Sequence, residues 1–192
     1  MPVEGGHVRE LRPFLNVRNE RDFQLICHYL IATFRPRGAY IILWLVGVHG
    51  GGKSIISRVV RRLTDPSRLE LGTVPRSEHD LMIRASNSHM VVLDNIRHFP
   101  AWLPDAMCRL ATGGGLATRE LYYDNDEVGF NVKRPQVINS IKEVITNPDF
   151  LDRAITISPP DIKDTRRQIE ERFWEDFDKA KCWCSSNGAS GQ

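Results

Sequence analysis

A glycine-rich segment that directly follows an apolar run constrains this chain more than any other feature. Residues 39–46 are apolar or aromatic throughout, and residues 47–54 read Gly-Val-His-Gly-Gly-Gly-Lys-Ser. A run without alternation is typical of a strand buried on both faces of a parallel sheet. The glycine-rich segment matches G-x-x-x-x-G-K-[ST] at every fixed position. Together they predict a buried strand, a loop that cradles phosphates, and a helix that begins at the end of the loop.

The loop also predicts its ligand, a nucleoside triphosphate with Mg²⁺. Glycines let the backbone curl so that successive N–H groups point at phosphates, and the following helix adds its positive N-terminal end. We expect Lys53 to reach the β- and γ-phosphates and the Ser54 hydroxyl to hold Mg²⁺. A glycine-rich turn with a surface lysine is the alternative. The predicted nucleotide contacts are Gly47, Val48, His49, Gly50, Gly51, Gly52, Lys53 and Ser54.

A second buried-strand candidate, at 89–93, ends at an acid. Asp94 closes this segment, and we expect it to hold Mg²⁺ through water, as a second acid does in such sites. An aspartate that only caps a helix or a turn is the alternative. The next residue is Asn95, where many motor ATPases carry a glutamate that activates water. Asn95 therefore argues against fast hydrolysis and leaves nucleotide binding unaffected.

Buried strands alternate with helices along the chain, which predicts an α/β domain with a mainly parallel sheet. Residues 1–18 are expected to be an irregular lead-in, and residues 185–192 a disordered tail. The further predicted strands are 135–139 and 154–157, with a short strand near 68–74 and a hairpin within 118–134; the predicted helices are 20–34, 54–63, 77–85, 101–111, 147–152 and 164–180.

Composition and charge limit the classes of protein to which this chain can belong. A formal net charge of +2 over 192 residues is weak evidence for nucleic acid, because a nucleic-acid footprint is a local stripe of charge. The apolar run at 39–46 is too short to span a bilayer, and no secretory signal opens the chain. We therefore expect a cytoplasmic protein that makes no membrane contact. All four cysteines are interpreted as reduced thiols: Cys27, Cys108, Cys182 and Cys184.

Seven segments in a fixed order extend the pattern beyond the two phosphate-site motifs. They are residues 47–54, 80–85, 91–95, 108–115, 118–122, 134–139 and 151–153. In this order they resemble phage- and plasmid-type ATPases of helicase superfamily 3, related to primase-helicases. More closely, they resemble an ATP-binding protein family of bacterial mobile elements. The resemblance covers roughly residues 10–175 and rests on the ordered set, since only the first segment is diagnostic alone.

The resemblance implies an AAA+-like P-loop NTPase fold, a three-layer α/β/α arrangement around the sheet. It implies ATP and Mg²⁺ as cofactors and hydrolysis coupled to DNA translocation or remodelling when a mobile element replicates. The implied domains are a lead-in and helix at 1–36, the ATPase core at 37–160, and the start of a helical lid with a tail at 161–192. Relatives continue at both ends, so we expect this sequence to be a fragment or to have a shifted frame near residue 181.

Two further catalytic residues follow from the resemblance. Asn139 matches the polar residue that senses the γ-phosphate, and an amide there can also orient the attacking water. An asparagine that only caps the next segment is the alternative. Arg153 matches an arginine finger that reaches the γ-phosphate of a neighbouring subunit. The alternative for Arg153 is a surface salt bridge with Asp149 or Asp152.

The hairpin occupies the place where superfamily 3 helicases project a DNA-contacting hairpin into the channel of a ring. Lys133 and Arg134 at its base are candidates for phosphate contact, and Tyr122 is a candidate for stacking on a base of single-stranded DNA. The acidic residues 124–127 at its tip favour an ordinary solvated ribbon instead. The implied assembly is a homo-oligomer, a hexamer-like ring.

Two other functions stay open from the residues. One is a P-loop kinase that acts on a small metabolite, although such kinases need an arginine-rich lid and only Arg166 and Arg167 stand near such a place. The other is a catalytically weak nucleotide-binding module. Asn95 and the missing C-terminal lid favour the weak module.

Overall fold

The computed structural model describes residues 7–47, 49–114, 116–119, 127–130, 132–141, 145, 147–162 and 170–181. A 3₁₀ helix at Val8–Phe14 precedes the first α-helix. The strands are β1 (Ile42–Val46), β2 (Val91–Ile96), β3 (Leu116–Arg119), β4 (Glu127–Phe130), β5 (Gln136–Ser140) and β6 (Ala154–Ile157). The helices are α1 (Glu20–Thr33), α2 (Lys53–Thr64), α3 (Glu78–Ser86), α4 (Leu103–Thr112), α5 (Pro148–Leu151) and α6 (Glu170–Lys181).

Four parallel strands form the central sheet in the order β2–β5–β1–β6. In this register Ile42 of β1 lies between Gln136 of β5 and Ala154 of β6. Because all four strands run the same way, their last residues share one edge, here called the carboxyl edge. Their first residues share the opposite edge, here called the amino edge. Since β5 lies between β1 and β2, residues at its end stand between the glycine-rich loop and the end of β2.

Side chains of β1 enter two apolar cores, one on each face of the sheet. Leu43 and Leu45 pack in the core covered by the 3₁₀ helix, α1, α2 and α6. Ile42, Trp44 and Val46 pack in the core covered by α3, α4 and α5. Every residue of β1 is buried, which explains why the sequence of this strand shows no alternation. The prediction of three layers, α/β/α, around a parallel sheet is confirmed.

Helix caps fix where the predicted helices begin and end. The side chains of Asn19, Ser77 and Asn147 each accept a hydrogen bond from a backbone N–H of the first turn of α1, α3 and α5. Such caps satisfy backbone donors that have no partner within the helix. At the C-terminal end of α4, Gly113 adopts a left-handed φ of 87°, a backbone conformation that glycine adopts without strain.

Residues 1–18 were predicted to be irregular, and this prediction is wrong for residues 8–14. The 3₁₀ helix begins after His7, whose Nδ1 accepts a hydrogen bond from the Arg9 N–H. Glu10 Oε1 accepts in return from the His7 N–H. Leu11 in this helix and Leu15 just after it are buried in the core that contains α1 and α2. Burial of these two leucines ties the lead-in to the domain, a tertiary effect that local propensity does not show.

The predicted strand near 68–74 is reduced to a single parallel bridge between Gly72 and Leu93. The Gly72 N–H donates to Val92 O, and the Asp94 N–H donates to Gly72 O. The segment therefore pairs with the outer side of β2 at one position and adds no strand to the sheet. The predicted hairpin is confirmed by the antiparallel pairing of β3 with β4, in which Leu116 lies opposite Phe130.

Some predictions fall on parts of the chain that the structure does not describe. Val48, Tyr122 and both C-terminal cysteines lie outside the described residues, as do residues 124–126 and the predicted tail at 185–192. The domain boundaries at 36 and 160 stay predictions. Cys27 and Cys108 are free and buried. Within the described ranges, no helix combines the length and apolarity that a membrane span needs.

Candidate functional site

The glycine-rich loop starts at the carboxyl edge, where β1 ends at Val46. The Gly47 N–H donates to Ser140 O and so extends the pairing of β1 with β5 by one residue. Gly50 and Gly52 then take positive φ values of 90° and 74°. Residues with a Cβ are strained in this region, so the fixed glycine of the motif at 52 has a steric reason. α2 begins at the next residue, Lys53.

Lys53 points back into the loop that precedes it. Its Nζ donates a 2.6 Å hydrogen bond to Gly47 O, and the side chain is buried. Burial lowers the pKa of Lys53, while the nearby carboxylates of Asp94 and Asp161 act in the opposite direction. The loop thus encloses a cation in a place where water is scarce, which strengthens its attraction for an anion.

Ser54 and Asp94 meet at the base of the loop. The Ser54 hydroxyl donates a 2.9 Å hydrogen bond to Asp94 Oδ1 across 40 residues of sequence. Hydroxyl and carboxylate oxygens are hard ligands that Mg²⁺ accepts, usually together with phosphate oxygens and water. The pair therefore fits the predicted metal. Across the described part of the chain there is no cluster of three or more His, Cys, Asp or Glu residues that would form an all-protein metal site.

β2 reaches this place through a β-bulge. Leu93 pairs with Ile138 and Ile96 pairs with Ser140, so Asp94 and Asn95 together lie opposite Asn139 of β5. Asn95 takes a φ of 55°, the only positive value among the non-glycine residues that the structure describes. Asparagine tolerates this left-handed conformation better than most residues do. The prediction that the strand ends before Asp94 is wrong, because the bulge carries β2 onward to Ile96.

The side chain of Asn139 accepts a hydrogen bond from the backbone at the bulge. Its Oδ1 accepts a 2.6 Å hydrogen bond from the Asn95 N–H, a donor displaced from regular pairing by the extra residue. Its Nδ2 donates to Asp94 Oδ1 and, at 3.4 Å, to Ser57 Oγ. Asn139 is 1% exposed. The amide therefore fixes the Asp94 carboxylate beside Ser54, a contact that sequence spacing did not predict.

Arg153 lies at the amino edge, away from these groups. Its backbone oxygen accepts from the Ile42 N–H at the start of β1. Its guanidinium donates 2.7 Å to Asp149 O and lies 3.3 Å from Asp149 Oδ1. The predicted alternative, a surface pair with Asp149, is thus present in the structure. Arg153 is not brought to the glycine-rich loop of its own chain.

The two cations at the base of the hairpin have different surroundings. Arg134 Nε donates to Ala85 O at 2.8 Å and to Ser88 O at 2.6 Å, so it joins the end of α3 to the start of β5. Lys133 is exposed, and its carbon chain covers Gly113, where an added Cβ would lie 2.2 Å from Lys133 Cε. DNA contact by either residue stays a prediction.

Sequence reasoning missed Asn16 and Asp161, which border the loop from outside. Asn16 Nδ2 donates to Gly51 O at 2.9 Å and to Pro160 O at 2.6 Å. Both residues line an open cavity of about 780 Å³ beside Gly50 and Gly52. The remaining walls include apolar side chains of Phe14, Ile55, Ile162 and Phe173. The Pro159-Pro160 pair after β6 was the sequence signal for this turn, and no local signal marked Asn16.

Comparison with curated proteins gave no match. Among solved structures, the apo C-terminal region of NrS-1 aligns with a TM-score of 0.68 at 15% identity, over 95% of this chain and 45% of that chain. The JCV helicase aligns with a TM-score of 0.51 at 12% identity, over 92% of this chain and 51% of that one. A structure described as SCCmec type IV Cch, active helicase, aligns with a TM-score of 0.51 at 14% identity, over 92% of this chain and 32% of that one.

These likenesses establish the fold that the chain shares with helicase domains, and the identities are too low to show more. The chain spans less than half the length of the NrS-1 region that it matches. A family defined by its own sequence model gives a more specific result, because it matches residues 8–185 and so includes both the glycine-rich loop and Arg153. The chain therefore belongs to the family of actinomycete integrative conjugative element replication proteins.

Proposed function

We propose that this protein binds ATP with Mg²⁺ at the glycine-rich loop and hydrolyses it to move along or remodel DNA during replication of a mobile element. The observation that carries the proposal is the 2.9 Å hydrogen bond between Ser54 and Asp94. It places the hydroxyl of the loop motif against the acid of a second strand, as a phosphate-and-magnesium site requires. Membership of a replication protein family supports the DNA part of the proposal.

Each group at the carboxyl edge has a proposed task. The loop N–H groups and Lys53 bind the phosphate oxygens, and α2 directs its positive end at them. Ser54 and Asp94 hold Mg²⁺, which neutralises charge on the phosphates when it is bound. Asn139 orients Asp94, because its Nδ2 donates to the Asp94 carboxylate. The cavity of about 780 Å³ beside Gly50 is large enough for the nucleoside, since ligand pockets commonly have about 300–1,000 Å³.

Completion of the site by a second subunit is part of the proposal. Arg153 lies at the amino edge, so it can act as a finger only on a neighbouring copy of the chain. Its pair with Asp149 is exposed, and exposed pairs contribute about 0–1 kcal/mol, so the arginine is easily released. We propose a ring-like homo-oligomer that binds single-stranded DNA, with Lys133 at the hairpin base as one contact. The helicase descriptions of the structural neighbours support the nucleic-acid part of this proposal.

The test is ATP hydrolysis by the purified protein, with and without single-stranded DNA, at several protein concentrations. Lys53→Ala is the inactive variant, and Lys179→Ala is its control, because Lys179 is exposed and forms a local ion pair with Asp176 in α6. We expect hydrolysis that rises with DNA and more than proportionally with protein concentration, and that Lys53→Ala abolishes. Loss of a charge-assisted hydrogen bond contributes roughly 1.5–3 kcal/mol, so ATP binding should weaken about 10- to 100-fold.

A second function, nucleotide binding without turnover, is favoured by one observation. Asn95 stands where a water-activating glutamate is expected, and its backbone N–H is held by Asn139. ATP binding by an assembled oligomer without hydrolysis would support this weak module and contradict the ATPase. ATP consumption that requires a small acceptor would instead support the kinase. Wild-type protein that binds no ATP would contradict all three.

A further inference from the structure

The side chain of Asn16 joins three segments that are distant in sequence. It belongs to the stretch between the 3₁₀ helix and α1, and it is half-buried. One Nδ2 donates both to Gly51 O at 2.9 Å, inside the glycine-rich loop, and to Pro160 O at 2.6 Å, just after β6. Only an amide offers two N–H donors on one atom in so short a side chain. These contacts satisfy two carbonyl groups that belong to no helix or strand.

Fixing the Gly51 carbonyl also fixes the N–H of Gly52. A peptide group is planar and trans, so its C=O and N–H point in opposite directions. With the Gly51 carbonyl held toward Asn16, the Gly52 N–H must point away from it. The Gly50 carbonyl is held similarly, because it accepts a 3.4 Å hydrogen bond from the Ile162 N–H, which turns the Gly51 N–H to the other side. Two successive loop donors are therefore set from outside the loop.

Glycine makes this external support necessary. Gly50, Gly51 and Gly52 have no side chains to restrict the peptide planes, and a run of glycines loses much conformational entropy when it is ordered. The space around the run is also tight: a Cβ at Gly51 would lie 3.3 Å from Pro159 O, and one at Gly52 would lie 3.1 Å from Ile162 Cδ1. The segment 159–162 and Asn16 thus form a rigid outer wall against which the loop is held.

We infer that Asn16 is a positioning residue of the glycine-rich loop, which holds the Gly51 and Gly52 peptide so that its N–H faces the phosphates. This inference rests on the proposed nucleotide binding. By this inference, the segment before α1 contributes to phosphate binding, although it lies about 30 residues before the loop. The ring of Phe14, two residues earlier, packs edge-on against Phe173 of α6 with centroids 5.5 Å apart, which steadies the same segment.

The test compares Asn16→Leu with Asn19→Leu. Leucine has the same number of side-chain heavy atoms and the same branching as asparagine, and it has no hydrogen-bond donor. Asn19 is the matched control, because its side chain caps α1 by accepting from the Asp22 N–H. We expect Asn16→Leu to raise the Kd of Mg-ATP about tenfold, since two modest hydrogen bonds organise the loop. Asn19→Leu should lower the melting temperature and leave this Kd unchanged. Calorimetry measures the binding of Mg-ATP. The melting temperature is measured without nucleotide.

Inorganic tripolyphosphate is the second probe, because it contacts the loop and carries no nucleoside. If Asn16 positions the loop, Asn16→Leu weakens the binding of ATP and of tripolyphosphate by the same factor. Weaker binding of ATP alone would overturn the inference, since Asn16 would then contribute to binding the nucleoside in the cavity. An unchanged Kd for both would also overturn it. If Asn16→Leu does not fold, Asn16→Ser retains one donor and should raise both Kd values about threefold. Wild-type protein that binds neither probe would contradict the proposed function itself.

Discussion

The two edges of the parallel sheet are built differently. At the carboxyl edge, polar side chains from separate elements bond to one another: Ser54 to Asp94, and Asn139 to Asp94. At the amino edge, the cations bond to nearby backbone. Arg153 donates to Asp149 O, and Arg134 donates to Ala85 O and Ser88 O. The carboxyl edge therefore holds an organised constellation, whereas the amino edge holds cations that serve the fold or remain available to a second molecule.

This contrast separates Arg153 from the glycine-rich loop along the strand direction. β1 has five residues between the two edges, and at about 3.3 Å per residue they are roughly 16 Å apart. An arginine side chain does not span this distance. Arg153 is therefore excluded from the phosphate loop of its own chain, and any catalytic role for it needs a neighbour whose carboxyl edge faces this amino edge.

The largest expected effect comes from Arg153→Ala. If Arg153 is a finger in trans, turnover should fall about a thousandfold or more, because such a finger contributes roughly 10³–10⁵ to kcat. ATP binding should stay within about twofold, since the arginine stabilises developing charge that bound ATP does not carry. The measurements are kcat for DNA-stimulated hydrolysis and Kd for Mg-ATP. Arg37→Ala is the control, because Arg37 is exposed in the turn that leads into β1.

Mixing two inactive variants decides whether the arginine works between chains. Arg153→Ala contributes intact loops and Lys53→Ala contributes intact fingers, so mixed oligomers should recover part of the wild-type turnover. Recovery requires that one site draw on two subunits. If the mixture is as inactive as its components, or if Arg153→Ala has normal turnover, Arg153 does not act on a neighbouring chain. The difference between the two edges would then be structural and not functional.

Asn139→Ala should have the second-largest effect, at the carboxyl edge. Removing the amide frees the Asp94 carboxylate and leaves the Asn95 N–H without its 2.6 Å acceptor. We expect kcat to fall about 100-fold, the lower range for loss of one preorganised donor. Asn19→Ala is the matched control: Asn19 caps α1, so its loss should cost about 1 kcal/mol of stability and leave kcat unchanged. Equal loss of kcat in both variants would assign Asn139 a purely structural role.

The smallest effects separate Arg134 from Lys133 at the amino edge. Arg134→Ala should lower the free energy of unfolding by about 1–3 kcal/mol, because two carbonyl groups lose their donor. Lys133→Ala should leave stability within about 0.5 kcal/mol and weaken single-stranded DNA binding, with a smaller salt dependence. Chemical denaturation and DNA titration at two salt concentrations measure the two effects. A stable Arg134→Ala protein with poor DNA binding would reverse this assignment.

Much of the fold was predictable because its signals are local. Asn19, Ser77 and Asn147 mark helix starts within three residues of the donors that they accept from. The burial of all of β1 was visible as an apolar run, and Gly113 marked the end of α4. The 3₁₀ helix was not predictable in this way. Its stability comes from Leu11 and Leu15, which are buried against elements that lie elsewhere in the sequence.

The candidate site was predictable only in part, and not as a geometry. The motif and the apolar strand before Asp94 pointed to Ser54 and Asp94, and the structure brings these two side chains together. The bulge at Asp94 and Asn95 was missed, because it exists only where β2 pairs with β5 in a shifted register. Asn16 was missed for the same kind of reason, since its partners are 35 and 144 residues away.

By itself, the sequence determined the glycine-rich loop, the alternation of strands and helices, and hence an α/β domain with this loop at one edge of its sheet. These follow from backbone sterics and from apolar periodicity, which act over a few residues. Only the tertiary structure decided that Asn139 holds Asp94, that Asn16 holds Gly51, and that Arg153 lies on the far edge. The order of strands in the sheet sets those contacts, and this order depends on how the whole chain packs its two cores.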